Sequence, residues 1–566
     1  MASSPNEESR CPDQVAANGS SLGRSEKPHK LKYVQPYGVD GIEDLEDYCE
    51  NGLHPVDILD ILDERFEVCH KLGSGGIATV WLCYEASQRR WKAIKINAAS
   101  RSAQDSAELR IGQFFKEQEI TTQQLEMHHI TVAEETFWIN GPNGRHLCSV
   151  LPVLGPTLQH WREMYLGLDA QRINKVCYEI TQGLDFLHEQ GICHGDFRPQ
   201  NILMRLVDGG LDHLDPDDLF ELVSLPRRHK VQTMDGEHSP NAPRWVVEPL
   251  RWFELENLVL DSASIVDFGE AFKATEIPEY LGIPRTYASP EVTYGMESVG
   301  TKSDVWSLAL TLLEIRTGLK LSEIPNSPLN RMESFAGPIP PPYRSLAAKE
   351  IYQDELLEYE TYGEEGVPRP QPLSDEMLNG ARSLTELFWG ASPERQDTED
   401  LSSYGIEAQL GREIWGQVLL PKEQNTGEEE NATKMVPYRI PKHEIMLLAD
   451  LLRRMLKYKP SDRLSTSNIL RHPWFKMGLE DEQSHTEELF KQEDRSGQVL
   501  GPKGEGLQPS DEEAYYTLRS KTSIKDLVNA KNRHTQALSV RPEQMILCLI
   551  TFIPILISFI ALWCSC

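Results

Sequence analysis

The chain has 566 residues, with 57 Lys and Arg against 87 Asp and Glu and a formal net charge of -30. That length permits about two or three domains and a large buried core. The acidity argues against nucleic acid as a direct ligand, because phosphates would be repelled; it fits a basic partner, or simply a solubilising surface. Ten scattered cysteines with no C-x-x-C pair argue against a zinc site or a disulfide framework.

Residues 1–42 are polar, lack an apolar signal-peptide core and are expected to form a disordered tail. Residues 65–82, RFEVCHKLGSGGIATVWL, alternate on both sides of a glycine cluster and predict strand, turn, strand. In that turn Leu72, Gly73, Ser74, Gly75 and Gly76, with Val80 beyond, form a candidate phosphate-covering loop, since small residues let backbone N–H groups approach phosphate oxygens. The string Trp91-Lys92-Ala93-Ile94-Lys95 ends a predicted strand on a lysine and resembles the V-A-I-K of protein kinases, which implies Lys95 on phosphates with Ala93 and Val80 over the adenine; the bland alternative is a solvated strand lysine. The resemblance of this string to the protein-kinase strand lysine implies a carboxylate partner for Lys95 from the next helix, and Glu108 is chosen over its rivals Glu117 and Glu119. After the predicted strand 147–151, Pro152, Val153 and Leu154 form a linker, where the missing N–H of Pro152 is harmless if only its carbonyl is used.

Ile173, Val176, Ile180, Leu184 and Leu187 recur at steps of three and four and predict an amphipathic helix ending near Gly191. It feeds the loop His194-Gly195-Asp196-Phe197-Arg198-Pro199-Gln200-Asn201, which sets an acid, a cation and an amide at fixed offsets. Phosphoryl transfer needs such a set: Asp196 to orient a hydroxyl, Arg198 to spread phosphate charge, and Asn201 to hold a metal. Leu203 joins the nucleotide-binding candidates. Asp267-Phe268-Gly269 follows the apolar Ile265-Val266 and offers a second metal carboxylate, Asp267.

These strings resemble, in order, the protein-kinase motifs, from the glycine loop and the strand lysine through H-R-D-L-x-x-x-N and D-F-G to A-P-E, here Ser289-Pro290-Glu291. The resemblance implies an α+β, bilobal eukaryotic protein-kinase fold that uses ATP and Mg2+. Its small sheet lobe would cover about 43–154 and its mainly helical lobe about 155–475, with a spacer insert at about 205–260 and a second insert at about 321–435. It also implies a buried pair between Glu291 and Arg463. Glu46-Asp47-Tyr48, His54-Pro55-Val56, the closing segment 437–475 and the 65 residues separating Asn201 from Asp267 resemble the SR-protein-specific kinases, especially their fungal relatives. Most kinases need about a dozen residues at that last place. Membership implies a monomer that phosphorylates serines in basic Arg/Ser-rich proteins, held by an acidic docking groove, with a link to mRNA splicing.

Three features depart from the family pattern. Gly195 replaces the loop arginine that in many kinases pairs with a phosphorylated activation segment, and the segment 267–291 is short; both imply an enzyme that folds directly into its active state. The third is a run of twenty uncharged, apolar residues, 545–564, long enough as a helix to span about 30 Å. It predicts a transmembrane tail anchor with the kinase facing the cytosol, tethered through a flexible 476–544; a buried core helix is the alternative. Lys521, Lys525, Lys531 and Arg533 near the anchor suit anionic lipid or a plain solvated linker. A nuclear location follows from family analogy alone. Asp354, Glu355, Glu358, Glu360, Glu364 and Glu365 form an acidic stretch that is either the docking site or a solvated insert. The rival readings are a membrane-anchored pseudokinase scaffold and a kinase acting on membrane-proximal substrates.

Overall fold

The computed structural model describes residues 32–477, apart from 37, 40, 165–169, 296–297, 319–320, 322–327, 342, 363–368, 381–382, 385–386, 388–404 and 420–432. The expected tether and membrane anchor lie outside the described residues, among which no helix is long and apolar enough to cross a membrane.

The small lobe is a six-stranded antiparallel sheet: β1 (Ile61–Leu62), β2 (Phe66–Gly75), β3 (Ala78–Glu85), β4 (Arg90–Asn97), β5 (Glu135–Gly141) and β6 (Gly144–Pro152), in the order β1-β2-β3-β4-β6-β5. Alternate side chains of β2 to β6 point to one face and pack as Phe66, Val68, Trp81, Cys83, Ile94, Ile96, Cys148 and Val150. Helix α1 (Ala107–Glu117) buries Ile111 and Phe115, four residues apart, against the larger lobe.

In the larger lobe, α2 (Thr122–Met127), α3 (Leu158–Met164) and α4 (Ala170–Glu189) precede a short β7 (Ile192–Cys193) and then β8 (Ile202–Leu206). All five apolar positions of the predicted amphipathic helix are buried on α4. Between β8 and β11 (Val259–Ile265) lies the spacer, with α5 (Pro216–Val223) and the antiparallel pair β9 (Arg228–Lys230) and β10 (Trp245–Val247). Its ends meet where Val259 pairs with Leu206. The spacer packs on the small lobe. Trp91 donates its amide to Asp212 at 2.8 Å and its indole N–H to the Leu214 carbonyl at 2.9 Å, and the Leu250 amide bonds Lys71 O at 2.8 Å. Tyr33, in the stretch expected to be a loose tail, is buried with Tyr48, Val231 and Val246, and its hydroxyl donates to Ser239 at 2.9 Å.

After β12 (Phe272–Lys273) and the single turn α6 (Pro290–Thr293), α7 (Thr301–Thr317) runs through the centre of the large lobe, buried on every side from Ser303 to Thr317. Such a helix has no polar face to give water. It stops at Gly318, whose φ of 69° caps the end in the left-handed region. Next come α8 (Pro328–Ala336), α9 (Tyr343–Tyr362), α10 (Asp375–Gly380), α11 (Ile406–Leu410), the hairpin β13 (Ile414–Leu419) and β14 (Thr433–Tyr438), then α12 (Lys442–Met455) and α13 (Thr466–Leu470). The acidic stretch falls on α9, where Asp354, Glu355 and Glu360 are exposed; Glu364 and Glu365 lie outside the described residues. Cys69, Cys83, Cys148, Cys177 and Cys193 are free and buried.

Candidate active site

The cleft between the lobes gathers its polar groups from four elements. On β4, Lys95 pairs in register with Val80 of β3 and Ser149 of β6, which fixes where its side chain leaves the sheet. Its ammonium donates to Glu108 Oε2 at 3.2 Å and to Asp267 Oδ1 at 2.7 Å. Glu108 sits in the first turn of α1, so the rival carboxylates Glu117 and Glu119 are not the ones at the lysine. Burial opposes charge on Lys95, but the two carboxylates outweigh it and hold the ammonium above its ordinary range. Burial likewise pushes Asp267 up. The Lys95 charge, the Lys95 hydrogen bond and the Gly269 amide overcome it, leaving this carboxyl at about 2. Asp267 has a φ of 63°, an uncommon backbone for a non-glycine residue. Phe268 beside it is buried, edge-on to Phe115 of α1 at 6.4 Å and 5.4 Å from the ring of His194. One side chain thereby links α1, the Asp267 turn and the catalytic loop.

The loop itself is suspended from α7. Asp304 accepts the backbone N–H of His194 at 2.8 Å and of Gly195 at 3.0 Å, and His194 Nε2 lies 3.1 Å from Val266 O. Asp196 accepts from Arg198 Nε at 3.0 Å on both oxygens and from Asn201 Nδ2 at 2.6 Å, while the same amide bonds Asp196 O at 2.8 Å. Burial raises the Asp196 carboxyl to about 7, even though Arg198 and Asn201 pull it down. Gly195 has a φ of 77°, and a Cβ there would run into the carbonyl of Glu270. Glycine is therefore demanded by the backbone as well as informative about the absent arginine.

Above the polar groups, Gly73, Ser74 and Gly75 extend the β2–β3 hairpin, paired with Val80, Thr79 and Ala78. A Cβ at Gly73 or Gly75 would meet nothing within 4 Å, so the hairpin leaves open space beneath small residues. Leu72 is half-buried, Gly76 is exposed at the tip, Ala93 pairs with Leu82 and Leu151, and Pro152 closes β6 opposite Lys92. Beyond Leu154, the Gly155 amide bonds Met204 O at 2.8 Å, which brings the linker against β8 and Leu203.

Comparison with known proteins agrees with this geometry. The Protein kinase domain family matches residues 66–215. Over 177 residues the chain is 34% identical to SRSF protein kinase 3 of Homo sapiens, covering 30% of this chain and 31% of that one. Protein kinase dsk1 of Schizosaccharomyces pombe is 33% identical over 179 residues, covering 31% and 32%. Serine/threonine-protein kinase SRPK of Physarum polycephalum is 30% identical over 300 residues, covering 49% and 66%. The chain belongs to the SRPK-like family of protein kinases. The matched part spans about a third of the length of the first two relatives.

Sequence reasoning missed three contributors in this SRPK-like chain. Asp304 stands in Ser303-Asp304-Val305-Trp306-Ser307, a string whose residue types suggest a helix and nothing more, and its role needs the fold that brings α7 beneath the loop. Glu314 of α7, which accepts from Tyr287 Oη at 2.5 Å, carries no signal in spacing. Glu270 follows Gly269 directly, yet its partners Arg101 and Gly282 lie in other segments. The pair implied by the resemblance is present: Arg463 donates to Glu291 at 2.6 and 2.7 Å, with both side chains fully buried.

Proposed function

We propose that this chain is an ATP- and Mg2+-dependent serine/threonine kinase that phosphorylates serines in basic, Arg/Ser-rich proteins. The observation that carries this reading is Lys95 held between Glu108 and Asp267, across the cleft from Asp196. The residues present fit the implied groups. Asn201 and Asp267 offer an amide oxygen and a strongly ionised carboxylate of the hard-oxygen kind magnesium takes. Lys95 and Arg198 supply fixed cations, and the space under Gly73 and Gly75 admits phosphates below backbone N–H groups. Mg2+ held by Asn201 and Asp267 would supply positive charge against the negative charge that develops on the transferred phosphate. Asp196 accepts the serine proton, Arg198 holds the carboxylate in place and faces the transferred group, and Lys95 orients the nucleotide phosphates. Val80, Ala93, Leu72 and Leu203 cover the base, with Pro152 and Leu154 at its edge.

The net charge of -30 and the exposed Asp354, Glu355 and Glu360 of α9 support a basic substrate. Arg285, on the approach to Ser289-Pro290-Glu291, is ion-paired with Glu350 of the same helix, which puts α9 beside the activation segment. The Michaelis constant for an Arg/Ser peptide is expected to rise steeply with salt, and a salt-independent value would exclude docking by charge. Phosphate incorporation into such a peptide tests the activity. Equal incorporation by wild type and Asp196→Asn would rule out the base, and none by wild type would favour a pseudokinase scaffold.

The apolar run 545–564 favours a membrane-tethered kinase whose substrates are themselves near the membrane. Carbonate extraction decides it: a tethered chain stays with the membrane pellet, and release of the full-length chain into the soluble fraction would refute a spanning helix.

A further inference from the structure

Glu270 stands where three parts of the fold meet. Its Oε2 accepts the Gly282 amide at 2.8 Å, and its Oε1 accepts from the Arg101 guanidinium. The Glu270 side chain is 15% exposed and that of Arg101 41%, so the carboxylate is shielded while its cation reaches water. Two glycines make room for it. A Cβ at Gly282 would lie 2.7 Å from Glu270 Oε1, and one at Gly195 would collide with the Glu270 carbonyl. Arg101 ends the short turn Ala99–Arg101 that follows β4, the strand of Lys95. Gly282 directly precedes Ile283-Pro284-Arg285, the stretch that leads to the buried Tyr287 and to Glu291.

Between these fixed points, Ala274 to Ile277, Glu279 and Tyr280 are exposed. Phe272 and Lys273 pair with β7 and the Ala274 amide bonds Gly191 O at 2.8 Å, but the exposed stretch beyond them lacks such burial, and the Glu270–Gly282 bond closes this loop of about a dozen residues at small entropic cost. We propose that Glu270 is a positioning residue: its carboxylate holds the activation segment in its substrate-accepting path and ties it, through Arg101, to the lobe that carries Lys95. The proposal rests on the kinase reading above. Because the acceptor is ionised, both bonds are of the stronger, charge-assisted kind, and they are built in rather than added by modification.

Hydrogen exchange and kinetics on the full chain test it. In Glu270→Ala, amide exchange across residues 280–284, in which Pro284 has no N–H to report, is expected to quicken about tenfold at Tyr280 to Ile283 while α7 stays protected. The Michaelis constant for an Arg/Ser peptide should rise about tenfold, with that for ATP within about twofold. Glu270→Gln keeps an acceptor for Gly282 and loses the charge facing Arg101; it should restore most of the protection and part of the peptide affinity, and Arg101→Ala should behave like it. Unchanged exchange at 280–284 in Glu270→Ala would overturn the proposal. So would a loss spread equally over both substrates with faster exchange throughout α7, because that is general destabilisation. If the wild type transfers no phosphate, the kinase reading fails, and the exchange arm still judges the clasp: protection lost in Ala and kept in Gln supports it, while unchanged protection overturns it.

Discussion

At the scale of single residues, the site is set by burial working against pairing. The Asp196 carboxylate is buried and the Asp267 side chain is 34% exposed; the first is raised to about 7 and the second held at about 2. Burial dominates at Asp196, where the neighbouring Asp267 charge also offsets Arg198, whereas at Asp267 the Lys95 ammonium and the Gly269 amide prevail. A base must be ionised to accept a proton, so kcat/KM for the peptide should climb with pH through about 7 and level off above it. Asp196→Asn should remove that limb and lower the rate by about 10²- to 10⁴-fold with the fold intact, checked by circular dichroism beside the assay. Gly195 makes the reverse point. Its left-handed backbone would cost alanine about 1–2 kcal/mol, and the approach of the Glu270 carbonyl about 1–3 kcal/mol more. Gly195→Ala should therefore lower the unfolding free energy in a urea titration, and arginine restored there should be no better tolerated. The sequence showed that an arginine was missing; only the packed loop shows that none would fit.

At the scale of elements, α7 is the part on which the site is hung. It carries Asp304 under the catalytic loop and Ser303, whose hydroxyl donates to Glu291 Oε1 at 2.7 Å. Arg463 completes that cluster from the far end of the lobe, with its guanidinium 5.2 Å from the ring of Trp306. Both members of the Glu291–Arg463 pair are removed from water, so deleting one leaves the other charged and unpaired. Arg463→Ala should cost about 3–5 kcal/mol in a denaturant titration, far more than an exposed pair such as Arg369–Glu360. A loss below about 1 kcal/mol would mean that water reaches the pair. The elements were legible where periodicity is strict, as on α4. On α7 only the string Ser303-Asp304-Val305-Trp306-Ser307 was legible as helix, from its motif and not from periodicity, because all-round burial erases the 3.6-residue pattern.

At the scale of the whole molecule, the spacer changes what the insert means. It leaves the large lobe at Leu206, contacts Trp91 at the start of β4 and Lys71 of β2, and returns at Val259. It thus straps the sheet that carries Lys95 to the lobe that carries Asp196. Replacing residues 208–257 by a short Gly/Ser linker should speed amide exchange in β2 and β4 and weaken binding of an ATP analogue, while α7 keeps its protection. Unchanged exchange in β4 would make the strap ornamental. Sequence alone determined the order of the motifs, the functional groups offered at Lys95, Asp196, Asn201 and Asp267, and the presence of an insert, because these depend on residue type and local spacing. Only the tertiary structure decided that Glu108 rather than Glu117 or Glu119 meets Lys95, that the spacer grips the small lobe, and that Glu270 joins Arg101 to Gly282. Each of those depends on contacts between segments far apart in the chain, and no local pattern encodes such a distance.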